Sequence, residues 1–277
     1  MIDIPTTTLL DLIARYDVFF IDQFGVLRDD EGAYRGAIEA LRRLKAMGKA
    51  VVILSNSGRS GDYNAKRLSR IGFVRDSFDH FVTSGDAAYA VLSRQGPPVP
   101  PGSNCLTISS GDDRNLAERL GMRTVEDAAK ADLVVISGGE AETVPMEFYA
   151  EMLRPAAERR IPAICTNPDI HKLAGGTIAA GAGSIAQLYE RLGGPVRWFG
   201  KPFGDIYEQA LQLSGNPARV NVVCIGDSID HDVLGASRSG LDSVLVRTGI
   251  LAQFSAEELG GMLTKDRRPT FMMAAFR

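Results

Sequence analysis

The chain has 277 residues, 45% hydrophobic and 23% charged, the balance of a soluble globular protein large enough for one big domain or two modest ones. Its formal net charge of -3 supplies neither the basic footprint of a nucleic-acid binder nor a polybasic membrane patch. No apolar run approaches the roughly eighteen residues of a membrane span, and Met1 to Pro5 carry Asp3 where a secretory leader would be basic. The three cysteines, Cys105, Cys165 and Cys224, are odd in number and far apart, and the latter two lie inside apolar runs. They predict core packing in a reducing cytoplasm and no cysteine-based metal site.

Strand-like runs alternate with helical patterns along the chain, which predicts an α/β protein with a parallel, doubly wound sheet. Val18-Phe19-Phe20-Ile21, between Asp17 and Asp22, reads as a strand buried on both faces, and Gly25 lets the backbone turn after it. A helix follows over about Ala33 to Met47, with Ile38, Leu41, Leu44 and Met47 spaced three apart and Gly48 as the stop. A second buried strand, Ala50 to Leu54, runs into Ser55-Asn56-Ser57-Gly58 and a helix from Gly61 to Ile71. Phe81 to Gly85 ends one unit, and a helix from Asp86 to Arg94 opens another.

The stretch Gly96-Pro97-Pro98-Val99-Pro100-Pro101-Gly102 cannot continue a helix and marks a loop. Strands near Cys105–Ile108, Leu133–Ile136 and Ala163–Thr166, with helices near Asp113–Leu120 and Pro145–Arg159, predict a smaller α/β domain over 82–181. It interrupts a discontinuous core of 1–81 and 182–277. The core is expected to resume with a helix from Ile185 to Leu192, the strand Val196–Phe199, then Gly200-Lys201-Pro202 and a helix to Leu213. A strand over Val220–Ile225 ends in Gly226-Asp227-Ser228, followed by a helix around Asp232–Ser239 and a strand Ser243–Val246. Ser255 with Glu258 is a capping box, and Phe271-Met272-Met273 reads as an edge strand.

Four strand-ending loops each offer a chemical group, and open parallel sheets place their chemistry beyond the strands' carboxyl ends. Asp22 can serve as nucleophile or metal ligand. Ser55 precedes the backbone amides of Asn56-Ser57-Gly58, a cradle of the nest type. Lys201 is a fixed cation, and Asp227 with Asp232 forms a carboxylate pair. Each has a plainer use as well, Ser55 and Asp227 as helix caps and Lys201 as a solvated loop charge.

In this order, Asp, Ser, Lys and Gly-Asp-Ser…Asp resemble the four motifs of the haloacid dehalogenase-like (HAD) hydrolase superfamily, and the likeness covers nearly the whole chain. The insertion between the second and third motifs resembles the C2-type cap of its class IIA, as do Thr83-Ser84-Gly85-Asp86, Thr166-Asn167-Pro168-Asp169 and Gly181-Ala182-Gly183-Ser184-Ile185. That class includes nucleotide monophosphatase, phosphoglycolate phosphatase and pyridoxal phosphatase relatives. The resemblance implies a Rossmann-like core and a Mg²⁺-dependent phosphatase acting through an aspartyl-phosphate on Asp22. It implies Asp22, the Phe24 carbonyl, Asp227 and Asp232 as metal ligands. Ser55 would bind a phosphoryl oxygen, with the 56–58 backbone beside it, and Lys201 would neutralise charge. Asn167 and Asp169 would present polar groups of the cap to a small phosphorylated metabolite, and a homodimer is compatible with the class.

Phe24 departs from the pattern. The phosphatases carry a second Asp there as general acid and base, whose loss removes about 10²–10⁴ in rate. Three readings follow: a phosphatase that uses good leaving groups or borrows an acid from Asp169, His171, Asp230 or His231; a dehalogenase; or a non-catalytic protein binding a phosphorylated ligand or a partner. Carbon–halogen displacement needs no divalent ion, so the retained Asp227 and Asp232, and the place of the insertion, argue against the dehalogenase.

Overall fold

The apolar run after Asp17 forms β1 (Val18–Asp22), buried along its whole length, with parallel partners on both its edges and crossover helices packed on the sheet. The computed structural model describes residues 4–174 and 177–277, so Asp3 lies outside the described residues. The next strands in chain order are β2 (Ala50–Ser55), β3 (His80–Thr83), β4 (Asn104–Ile108), β5 (Arg123–Thr124), β6 (Leu133–Ile136) and β7 (Ala163–Cys165). They are followed by β8 (His171–Ala174), β9 (Thr177–Ala180), β10 (Val196–Trp198), β11 (Val222–Gly226), β12 (Asp242–Val246) and β13 (Phe271–Met273).

The chain divides into two compact units. The first comprises the chain up to Ser55, Gly61–Val82 and Lys201–Arg277. Its sheet has the order β13-β12-β11-β1-β2-β3, and β13 pairs with β12 at the edge expected for Phe271–Met273. Helices Leu9–Arg15, Ala37–Ala46 and Gly61–Arg70 bury Leu9, Leu12, Leu41, Leu44 and Leu68 against Phe19, Ile21, Val51 and Ile53 of the strands.

The second unit comprises Asn56–Ser60 and Thr83–Gly200. It is a doubly wound parallel sheet of its own, in the order β10-β7-β6-β4-β5. The structure moves its end from 181 to Gly200. The helix Ala182–Arg191 buries Ala182, Ile185, Ala186 and Tyr189 against Ile136, Leu153 and Cys165, and β10 adds to the sheet beside β7. An amphipathic helix announces that it has an apolar face, not which sheet that face covers.

Other elements shift for local reasons. The helix expected from Ala33 starts at Ala37, since Gly36 takes φ 88° before it and Tyr34 N donates to the Leu27 carbonyl instead. The strand expected from Val220 starts at Val222, after a 3₁₀ turn over Arg219–Asn221. The helix expected at Asp232 is entered through a wide π-type turn, Ile229–Val233. The helix Leu9–Arg15 and the hairpin β8–β9 lie outside the sequence reading. All three cysteines are buried and free.

Candidate functional site

Three chemical groups come off neighbouring strands at one end of the first unit's sheet. β1 lies between β2 and β11, with Asp22 opposite Leu54 and Ile21 opposite Ile225. Asp22, Ser55 and Asp227 therefore emerge side by side although they are distant in sequence. The π-type turn after β11 brings in Asp232, whose Oδ2 accepts the Ser228 N–H at 3.1 Å. Lys201 Nζ donates to Asp22 Oδ1 at 2.5 Å and to Asp232 Oδ1 at 2.7 Å. Ser55 Oγ donates to Gln23 Oε1 at 3.1 Å.

These ions are buried. Asp22 is 9% exposed, Lys201 and Asp227 3%, and Asp232 5%. Burial pushes the Asp22 carboxyl well above its usual range, and Lys201 counters this while Asp232 and Asp227 add to it. Burial alone would lower the Lys201 ammonium, but Asp22 and Asp232 outweigh it and hold the proton on. Three carboxylates about one ammonium leave an excess of negative charge that a dry site tolerates poorly.

One oxygen from each of Asp22, Asp227 and Asp232 lies within 4.8 Å of the others. All-oxygen, carboxylate-rich donor sets suit hard divalent cations such as Mg²⁺, so the residues present fit such an ion both in donor type and in charge.

The Asp227 carboxylate has a tight seat. A Cβ at Gly25 would stand 2.1 Å from Asp227 Oδ2, and one at Gly249 would stand 1.9 Å from it. Both glycines also take positive φ, +93° and +59°, which a side chain would resist. Thr248 Oγ1 donates to the Gly25 carbonyl at 2.5 Å, tying the two loops together. Gly249 is a site residue that the sequence reading missed. It follows a strand end, as the others do, but carries no side chain to notice.

Phe24 is 38% exposed and stacks with Arg28, whose Cζ lies 5.4 Å from the ring centroid. The Gly25 N–H donates to the Arg28 carbonyl, closing the loop that holds the pair. On the loop after β11, Asp230 is exposed and paired with Arg267 at 3.1 Å, and the His231 backbone N–H donates to Ser228 Oγ.

The remaining candidates belong to the second unit. Asn56 Nδ2 donates to Asp169 Oδ1 at 2.8 Å, and the Asp169 N–H donates to Asn167 Oδ1 in a turn. Ser57 Oγ accepts the Arg59 N–H, and the Gly58 carbonyl accepts from Asn115 Nδ2 at 3.3 Å. His171 sits exposed on β8.

Comparison with known proteins agrees with this architecture. Family models match residues 19–123, as haloacid dehalogenase-like hydrolase, and residues 198–276, as HAD-hydrolase-like. A crystal structure of a hydrolase of the haloacid dehalogenase-like family from Brucella suis 1330 is 32% identical, with a TM-score of 0.83, covering 98% of this chain and 99% of that one. The chain belongs to the haloacid dehalogenase-like hydrolase family. Chronophin of Homo sapiens is 29% identical, matching 87% of this chain and 84% of its own length. The D-glycerol 3-phosphate phosphatase of Mycobacterium tuberculosis is 26% identical over 93% of this chain and 69% of its own. Among the described residues no helix is long and apolar enough to cross a membrane.

Proposed function

We propose that this chain is a Mg²⁺-dependent phosphatase of class IIA, acting on a small phosphomonoester, with the second unit as its C2 cap. The observation that carries the reading is the buried Asp22–Lys201–Asp232 array with Asp227 beside it. A stabilising ion pair alone has no need of two further carboxylates, whereas a site for metal and phosphate does. The name of the Mycobacterium tuberculosis relative, a D-glycerol 3-phosphate phosphatase, points the same way. Three buried cysteines that form no disulfide fit a reducing cytoplasm.

Asp22, Asp227, Asp232 and the Phe24 carbonyl would hold the ion, which when bound supplies charge that lets an anionic carboxylate meet an anionic phosphate. Asp22 attacks phosphorus, an O–P bond forms as the ester P–O bond breaks, and water later releases phosphate from the aspartyl group. Lys201 orients the Asp22 carboxylate and balances the growing charge, and Ser55 donates to a phosphoryl oxygen. The Asn56-Ser57-Gly58 backbone, directly following Ser55, completes the cradle. Phe24 carries no proton, so the leaving group departs as its anion.

Turnover of p-nitrophenyl phosphate tests this, because that leaving group needs little protonation. Release should require both Mg²⁺ and Asp22, so Asp22→Asn should be inactive. Mg²⁺ should also raise the melting temperature of the wild type and not that of Asp227→Asn. The Phe24–Arg28 pair at the general-acid position favours a second reading, a protein that binds a phosphorylated ligand without turning it over. Mg²⁺-dependent ligand binding with no product under any condition would select it.

A further inference from the structure

Three sequence stretches outside the four strand-end loops remain unexplained by the chemistry above: 83–86, 166–169 and 181–185. Within the second unit they meet around the loop that follows Ser55. Asn56 is 6% exposed, and both ends of its amide are held. Nδ2 donates to Asp169 Oδ1 at 2.8 Å, and Oδ1 accepts from Ser84 Oγ at 3.4 Å. The Ser57 carbonyl accepts the Gly85 N–H at 3.1 Å, and the Gly58 carbonyl accepts from Asn115.

The packing leaves no room for slack. A Cβ at Gly85 would stand 2.1 Å from the Gly58 carbonyl oxygen, and one at Gly200 would stand 2.2 Å from Ser84 Oγ and 2.8 Å from Asn56 Oδ1. Asp169 is itself fixed from behind. Its carbonyl accepts the Gly183 N–H at 2.9 Å, and a Cβ at Gly181 would come within 2.1 Å of that same oxygen.

We propose that Asp169 is a positioning residue. Through Asn56 it holds the 56–58 loop in the conformation that receives the phosphoryl group, rather than contacting the substrate itself. Hydrogen bonds from Gly85 and Asn115 hold the Ser57 and Gly58 carbonyls as well. The three stretches thus serve one task. Thr83–Asp86 supplies Ser84 and Gly85, Thr166–Asp169 supplies the carboxylate, and Gly181 and Gly183 allow its carbonyl to be held closely. Gly200, directly before Lys201, closes the same knot.

This inference rests on the phosphatase reading for what the loop binds, so its test uses inorganic phosphate, which has no leaving group. Calorimetry with Mg²⁺ would compare the full-length wild type with Asp169→Ala, Asp169→Asn, Asn56→Ala and the Asn56→Ala/Asp169→Ala double variant. A hydrogen bond to a charged group carries about tenfold to a hundredfold in an equilibrium. Phosphate Kd should weaken by at least about tenfold in Asp169→Ala and in Asn56→Ala. The double variant should be no worse than either single one. Asp169→Asn, which keeps an acceptor oxygen, should retain most of the affinity, and with Asn56→Ala it carries the test if Asp169→Ala does not fold.

Unchanged phosphate binding with a raised KM for p-nitrophenyl phosphate would make Asp169 a substrate contact and overturn the proposal. Additive losses in the double variant would overturn it too. A wild type that binds phosphate but releases none from the ester defeats the phosphatase reading while leaving the clasp measurable. A wild type that binds no phosphate defeats both.

Discussion

The two units are built alike and filled differently. Each is a parallel sheet with helical crossovers. Yet among the described residues every buried charged side chain, namely Asp22, Arg28, Lys201, Asp227 and Asp232, belongs to the first unit. The buried polar side chains of the second are neutral: Asn56, Thr83, Ser84 and Thr166. The same architecture therefore supports an ionic site in one place and, in the other, a knot of neutral groups and glycines to which Asp169 adds a half-buried carboxylate. The sheet supplies positions, and the strand-end residues decide the chemistry.

If that contrast holds, the units should respond differently to substitution. The largest effect is expected at Lys201→Met, which removes the ammonium from among three buried carboxylates. Breaking a buried pair in this way costs about 3–5 kcal/mol. Urea unfolding in the absence of Mg²⁺ should show it, and a loss below about 1 kcal/mol would mean that the array is far wetter than its burial indicates. Gly85→Ala tests the second unit by crowding alone, since its Cβ would collide with the Gly58 carbonyl. A loss of about 1–3 kcal/mol is expected, insensitive to salt because no ion is involved.

The smallest effect belongs to the half-exposed pair of Lys45 and Asp79, 2.6 Å apart. Burial alone would raise the Asp79 carboxyl, but hydrogen bonds from Lys45 Nζ and the Val51 N–H hold it below its usual value. Its contribution is therefore present above the ordinary carboxylate range and disappears as pH falls through the lowered value. Asp79→Asn should lower stability at pH 7 by less than about 1 kcal/mol. In acid, the melting curves of variant and wild type should converge.

What could be read without coordinates follows the same division. Asp22, Ser55, Lys201 and Asp227 each lie at or near the end of an apolar run, and such runs are visible in sequence. The meeting of Asp22, Ser55 and Asp227 follows from parallel strand order, which alternation of strand and helix already suggests, whereas Lys201 follows a strand of the other sheet. The contact of Gly249 with Asp227 had no such signal, because a glycine speaks only through what surrounds it. The helix Leu9–Arg15 does carry a readable capping box, Thr8 with Asp11, but seven residues are too few for a helical period to stand out. The ownership of 182–200 was hidden for another reason. The packing of the helix Ala182–Arg191 and the pairing of β10 with β7 assign it, and neither an apolar helix face nor a three-residue strand names its partner in sequence.

The Phe24–Arg28 stack limits what a single substitution can achieve at this loop. A lone Phe24→Asp exchange would place there the carboxyl that the resemblance to the phosphatases implies, but beside a guanidinium now 5.4 Å from the ring centre. An opposite charge at that range favours the ionised form, so the new residue would arrive as an anion with no proton to give. Recovering acid catalysis would require Arg28 to change as well. The two positions therefore act as a pair, and exchanging Phe24 alone leaves the loop without a proton donor.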